Sequence, residues 1–185
     1  MNVVPLEAAH CDALLAFFRA LPEADRTFIK EDVTDPGTVR AMASSHSGEG
    51  RGRRWVALGE DGTDVIGYVA VLPLAGWSDH VGEIRLVVAP ASRGSGLGRE
   101  LARHALVQAV EAGLTKLIVE VVAEQGSALA LFTALGFSGE ALLQDQIRDR
   151  DGRLRDLMVL AHHVSATWSR MDSLGLADPG EGTAG

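Results

Sequence analysis

The chain of 185 residues has one cysteine, Cys11, which excludes an internal disulfide framework and any zinc cluster built on cysteines. Aromatic residues are scarce, with three Trp, one Tyr and five Phe. So few stacking platforms weigh against binding of single-stranded nucleic acid. Positive charge is also short: 17 Lys and Arg face 25 Asp and Glu, a formal net charge of −8. A surface of that sign repels polyanions such as nucleic acid and is compatible with cationic substrates. No uninterrupted apolar run reaches the ~18 residues of a membrane span. Glu7 and Asp12 break up the stretch where a signal-peptide core would lie. The expectation is a cytoplasmic protein with neither a nucleic-acid nor a membrane partner. No period of roughly 20 to 50 residues repeats, so solenoids and propellers are not expected.

What is present is a globular composition, 46% hydrophobic and 23% charged, which supports a sizeable core. On a prior of ~150 residues per domain, residues 1–164 are expected to form one domain. Residues 165–185 are expected to be a mostly flexible extension, with one loose turn around Trp168 and a disordered tail from Asp178 to Gly185. After a short extended start, Cys11, Leu14, Leu15, Phe18 and Leu21 recur at helical spacing until Pro22 stops the pattern. Asp35-Pro36 reads as an N-cap followed by proline at the first helical position. Ser44 to Gly52 reads as a mobile loop. Trp55–Leu58 and Val65–Leu72 flank the turn Gly59-Glu60-Asp61-Gly62, and Gly82–Val88 is a further strand closed by Pro90. Leu97, Leu101, Ala105, Leu106, Ala109 and Val110 form the longest helical stripe, with Gly113 as its cap. Lys116–Val122 is a buried strand, Ser127–Leu135 a helix ended by Gly136, and two last strands surround Asp151-Gly152. The order is β-α-α-β-β-β-α-β-α-β-β, a mixed α/β sheet.

The stretch that carries chemistry runs from Val87 to Arg99. A strand ends, a glycine-rich loop follows and a long helix begins at once. Helix N-termini leave unpaired N–H groups and a positive dipole end, so this loop is suited to cradling a phosphate. Gly94, Gly96 and Gly98 have the wrong spacing for a dinucleotide fingerprint, and Gly98-Arg99-Glu100 is not the Gly-Lys-Ser/Thr of a P-loop. Arg93, Gly96 and Gly98 do fit a third pattern, Arg-x-x-Gly-x-Gly.

With that loop, the signature Leu86-x-Val88-x-Pro90-x-x-Arg93-Gly94, and downstream Ala128-Leu129-x-Leu131-Phe132 and Leu135-Gly136-Phe137, the chain resembles the GNAT superfamily of N-acetyltransferases from Val4 to His162. The resemblance implies a GNAT-like mixed central sheet with helices on both faces, and acetyl-CoA as co-substrate. It implies that backbone groups of Leu86, Val87 and Val88 hold the pantetheine arm. It further implies that Gly94, Ser95, Gly96, Leu97, Gly98 and Arg99 donate N–H groups to the pyrophosphate, framed by Arg93 and Arg99. Gln125 stands where the family often has a cofactor-contacting asparagine. Phe132 stands beside the cofactor where a tyrosine usually protonates the departing thiolate, and phenylalanine has no proton to give. Tyr68 and His80 are the substitutes to consider, and simple packing of Phe132 is the alternative.

Acyl transfer to an amine needs a neutral nucleophile. An amine of pKa ~10.4 is neutral so rarely at pH 7 that the deficit is ~4 to 5 kcal/mol. A carboxylate that accepts the proton addresses it. Glu83, just before the strand signature, and Glu120, on the next strand, both match positions where family members place a base. Both carboxylates are also open to a structural reading as ion-pair partners of Arg85, Lys116 or an arginine of the last hairpin. Glu23, Asp25, Glu31, Asp32 and Asp35 are either solvated loop charge or an acidic lid that attracts cationic amines. The charges from Arg148 to Asp156 are either a solvated sheet edge or an acceptor rim. Histidines 10, 46, 80, 104, 162 and 163 offer no i,i+4 pair on a helix, so no metal site is expected.

The sequence therefore points to acetyl transfer from acetyl-CoA to a primary amine of a small molecule or peptide, by direct attack in a ternary complex. Cys11 is far from the loop, so no covalent enzyme intermediate is expected. A non-catalytic acyl-CoA sensor and an acyltransferase using another acyl-CoA, its pocket shaped near Ala70–Leu74, are the alternatives. The final hairpin is a candidate homodimer edge.

Overall fold

A computed structural model of the chain describes residues 2–44 and 52–164. The expected Ser44–Gly52 loop lies mostly outside the described residues, and the turn at Trp168 and the tail from Asp178 lie wholly outside them.

Seven strands form one sheet in the order β1-β2-β3-β4-β5-β7-β6. They are β1 (Asn2–Pro5), β2 (Arg53–Leu58), β3 (Val65–Pro73), β4 (Val81–Val88), β5 (Lys116–Val122), β6 (Ser138–Arg148) and β7 (Leu154–His163). Every neighbouring pair is antiparallel except β4 and β5. The helices are α1 (Cys11–Ala20), α2 (Glu23–Arg26), α3 (Pro36–Ser44), α4 (Leu97–Glu111) and α5 (Gly126–Ala134). The mixed sheet with helices on both faces is thus as expected. The one α-helix not expected from the sequence is α2, whose four residues are too few to carry a helical period.

Alternation along the strands sorts the side chains into two cores. Trp55, Ala57, Val69, Val71 and Ile84 pack with Leu97, Leu101 and Ala105 of α4 and with Phe132 of α5. Val56, Leu58, Tyr68 and Ala70 point the other way, onto Leu14 and Phe18 of α1 and Val39 and Met42 of α3. As the spacing indicated, Asp35 caps α3: its Oδ2 accepts the Thr38 N–H at 2.7 Å. Gly113, with φ +79°, closes α4. Leu101 is fully buried, so Leu101→Ala is expected to cost about 2 to 5 kcal/mol. The measurement is a lowered urea midpoint at unchanged slope.

Among the described residues, no helix is long and apolar enough to cross a membrane. Nor, among the same residues, does any group of three His, Cys, Asp or Glu side chains suit a metal ion.

Candidate active site

β4 and β5 run side by side only from Val81↔Lys116 to Glu83↔Ile118. Beyond that rung they part, while β4 stays paired with β3 up to Val88↔Gly67 and β5 with β7 up to Val122↔Leu157. The result is a wedge that opens in mid-sheet towards the C-terminal end of β4.

The β3/β4 ladder decides which backbone groups line the wedge. Leu74 N–H donates to the Val81 carbonyl at 2.8 Å, and Ala89 N–H to the Ile66 carbonyl at 3.0 Å. Antiparallel pairing alternates, so the odd-numbered residues of β4 direct N–H and C=O at β3 and the even-numbered ones face β5. Leu86 and Val88 therefore present main-chain groups to the wedge. Val87 does not: its N–H and C=O belong to the ladder with Tyr68. That corrects the expectation that all three backbones line the same groove.

The glycine loop sits at the mouth of the wedge. Gly94 and Gly96 have φ of +77° and +91°, values that favour glycine. A Cβ at either would meet nothing within 4 Å, so the loop leaves an open cradle. Gly96 is the N-cap of the 15-residue α4, and the first N–H groups of that helix lack intrahelical acceptors. Ser95 Oγ donates to the Ser92 carbonyl at 2.7 Å, which ties the loop together. Leu97 contributes backbone only, since its side chain is buried in the core. Gly98 is where α4 meets β4 and α5: a Cβ there would lie 3.6 Å from Leu131 and 3.7 Å from Val88. Arg99 is exposed on the first turn of α4. Arg93 is already engaged, with Nη2 2.5 Å from Asp25 Oδ2 and Nε 3.4 Å from the Val88 carbonyl. Its expected role in framing an anion would require it to leave Asp25.

At the apex of the wedge, Glu83 and Glu120 emerge on the α1/α3 face. Strand alternation puts them there, because Leu117, Val119 and Val121 pack on the α4 side. A lysine not singled out from the sequence lies between them: Lys30 Nζ is 2.8 Å from Glu83 Oε1 and 2.8 Å from Glu120 Oε2. Glu83 also accepts from Arg85, at 3.0 Å from Nε and 3.2 Å from Nη2. Arg85 Nη1 in turn donates to Glu31 Oε1. Burial pushes the Glu83 carboxyl up, but hydrogen bonds and charge from Arg85 and Lys30 outweigh it and hold the group below the usual carboxylate range. Burial likewise disfavours the Lys30 ammonium, yet Glu120 and Glu83 together raise its pKa. The stability that Glu83 contributes is therefore complete above its ordinary value of 4.5 and fades as pH falls through the lower folded value. That of Lys30 is complete below 10.5 and fades as pH rises through the raised one.

The acidic residues between α1 and α3 are exposed or half-exposed, and each is engaged by a neighbour. Glu23 pairs with Arg150 at 2.7 Å, Asp25 with Arg93 and Glu31 with Arg85. Asp32 bonds Thr34 and Asp35 caps α3. The segment carrying α2 is thus strapped by ion pairs to the last hairpin, the glycine loop and the sheet. In that hairpin, Asp149 orders the turn by accepting from the N–H groups of Asp151 and Arg153.

Phe132 is buried with the α4 core, edge-on to Phe137 with ring centroids 5.3 Å apart. Gln125 is the N-cap of α5, half-buried. Tyr68 is buried against Phe18, and burial pushes its hydroxyl up to about 12. The His80 side chain is exposed, while its carbonyl accepts from Thr115 and Lys116.

The profile described as the Acetyltransferase (GNAT) family matches residues 15–137. Streptothricin acetyltransferase of Streptomyces lavendulae is 31% identical over 119 residues, covering 60% of this chain and 62% of that protein. The chain spans less than two thirds of the length of the curated relatives it matches. Among solved structures, a GCN5-related N-acetyltransferase from Kribbella flavida superposes with a TM-score of 0.76 at 27% identity, over 88% of this chain and 96% of the other. The fold is also that of yncA from Salmonella typhimurium, solved with its cofactor acetyl-CoA, at TM-score 0.77 and 21% identity over 89% and 94% of the two chains.

Proposed function

The chain belongs to the GNAT family of acetyl-CoA-dependent N-acetyltransferases, and on that premise we propose that it moves an acetyl group from acetyl-CoA to a primary amine by direct attack in a ternary complex. One observation carries this reading: a single wedge has the Leu86 and Val88 backbone along its side, the Gly94–Arg99 cradle at its mouth and two glutamates at its apex. A loop open at Gly94 and Gly96 and an unpaired strand edge suit a diphosphate and an amide-bearing arm.

Bound acetyl-CoA supplies an acetyl thioester with a thiolate leaving group. Leu86 and Val88 N–H groups, facing the wedge, are placed to hydrogen-bond the arm and to polarise a carbonyl beside them. The amide hydrogens at the start of α4 would hydrogen-bond the diphosphate. Glu83 has its oxygens occupied by Arg85 and Lys30 and is held charged, which suits it to binding an ammonium. Glu120 carries a single bonded cation, and its side chain is a quarter exposed, at 25%. It is the carboxylate free to take a proton from the amine. The leaving group can depart without an acid, because a thiol of pKa ~8.5 leaves fairly well as its anion, although general acid help would be worth ~10² to 10⁴ in rate. Phe132 itself has no proton to give.

The test is thiol release from acetyl-CoA over a panel of amines that includes streptothricin, a linear polyamine and a peptide with a free amino terminus. Release with at least one of them is the expected outcome. A non-catalytic acyl-CoA-binding module is the second reading, favoured by the absence of a proton donor at Phe132. Tight acetyl-CoA binding with no release on any amine selects it.

A further inference from the structure

Between Glu83 and Glu120 lies the ammonium of Lys30. Lys30 and Lys116 are the chain's only lysines, against 15 arginines. Lys116 sits on β5, 2.5 Å from Glu140. Lys30 rises from the strap that follows α2, and its ammonium reaches both candidate carboxylates at the apex of the wedge. A primary ammonium on an unbranched four-carbon stem is the chemical species an amine acetyltransferase must hold before acylation. The stem is only half covered, the Lys30 side chain being 45% exposed, so the group can swing out without opening the core. Arginine in its place would offer a broad planar fork with five donors and not a compact point charge.

Resting on the function proposed above, we propose that the subsite between Glu83 and Glu120 takes the ammonium of an unbranched alkyl primary amine, and that Lys30 fills it as a resident competitor until an acceptor displaces it. Acceptors with a branched carbon at the amine are disfavoured, because an unbranched stem is the shape that brings an ammonium within 2.8 Å of both Glu83 and Glu120. Exchange of one ammonium for another leaves the charge balance with Glu31, Glu83, Glu120 and Arg85 unchanged, so entry costs no unpaired carboxylate. The strap need not detach, since Asp25–Arg93 and Glu31–Arg85 hold it independently.

Two measurements test this. In wild-type protein labelled with ¹⁵N-lysine, the Nζ resonance of Lys30 is expected to move to that of a free lysine as n-propylamine hydrochloride is added at fixed ionic strength, while Lys116 serves as the internal reference. In Lys30→Ala, n-propylamine carries the atoms that the substitution removes. This variant is expected to bind the amine at least tenfold more tightly than wild type, and to acetylate it with at least tenfold higher kcat/KM. tert-Butylamine is expected to gain nothing. An unmoved Lys30 resonance, equal movement of both lysines, or an equal gain for the two amines overturns the proposal. The binding readouts need no turnover: displacement of Lys30 without thiol release would retain the subsite and refute the acetyltransferase reading. Thiol release on the panel with Lys30 undisturbed would do the reverse.

Discussion

Glu120→Gln is expected to lower kcat at neutral pH by about 10²- to 10⁴-fold, the usual worth of a positioned general base. Acetyl-CoA affinity should stay within twofold, because the cradle is built from the other side of the wedge. The loss should shrink as pH approaches the acceptor's own pKa of ~10.4, where solvent supplies the neutral amine. Glu83→Gln should behave differently. It removes a carboxylate that Arg85 and Lys30 both occupy, so the expected result is a raised KM for the amine and a lower melting temperature, with a smaller change in kcat. Stopped-time thiol release at several pH values separates the two. If Glu83→Gln instead carries the large kcat loss and Glu120→Gln does not, the roles assigned here are reversed.

The second large effect is expected at Gly96. Its φ of +91° is strained for any residue with a Cβ, at a cost of about 1 to 3 kcal/mol. Alanine there must either keep the loop under strain or let it relax, which turns the first N–H groups of α4 away from the cradle. The Cβ would also project into the open space where an anion approaches. Gly96→Ala is expected to weaken acetyl-CoA binding at least tenfold, measured by calorimetry. Gly62→Ala is the control: its φ is +74° with nothing within 4 Å, but it lies in the turn between β2 and β3. It should lower stability through the same strain and leave the dissociation constant alone. Equal binding losses in the two variants would mean that the Gly96 effect is one of general stability.

How far such effects can be anticipated from the amino-acid order depends on the range of the interaction. The α4 stripe, the caps at Asp35 and Gly113 and the strand–loop–helix at Gly94–Arg99 are local, because each is governed by residues within a few positions of one another. Hence helix, cap and cradle were legible. Arg85 could be named as a partner for Glu83 because alternation puts residues two apart on one face. α2 was not legible, and neither was the tie between Arg93 and Asp25, since nothing local in the sequence relates those residues. Phe132 illustrates a different dependence. Its position within a motif was readable, but whether its ring faces a ligand or the core depends on how α5 lies on the sheet.

By itself, the order of residues determined the strands, the longer helices, the two-faced sheet and the phosphate-type loop, because periodicity, capping and glycine conformation act over one or two turns of chain. Only the tertiary structure decided that β4 and β5 separate after Glu83, so that Leu86 and Val88 but not Val87 face the gap. It alone brought Lys30 across 53 positions to Glu83 and onto Glu120. An ammonium and a carboxylate attract wherever they lie in sequence, so which of them meet is settled by strand register and by the path of the strap.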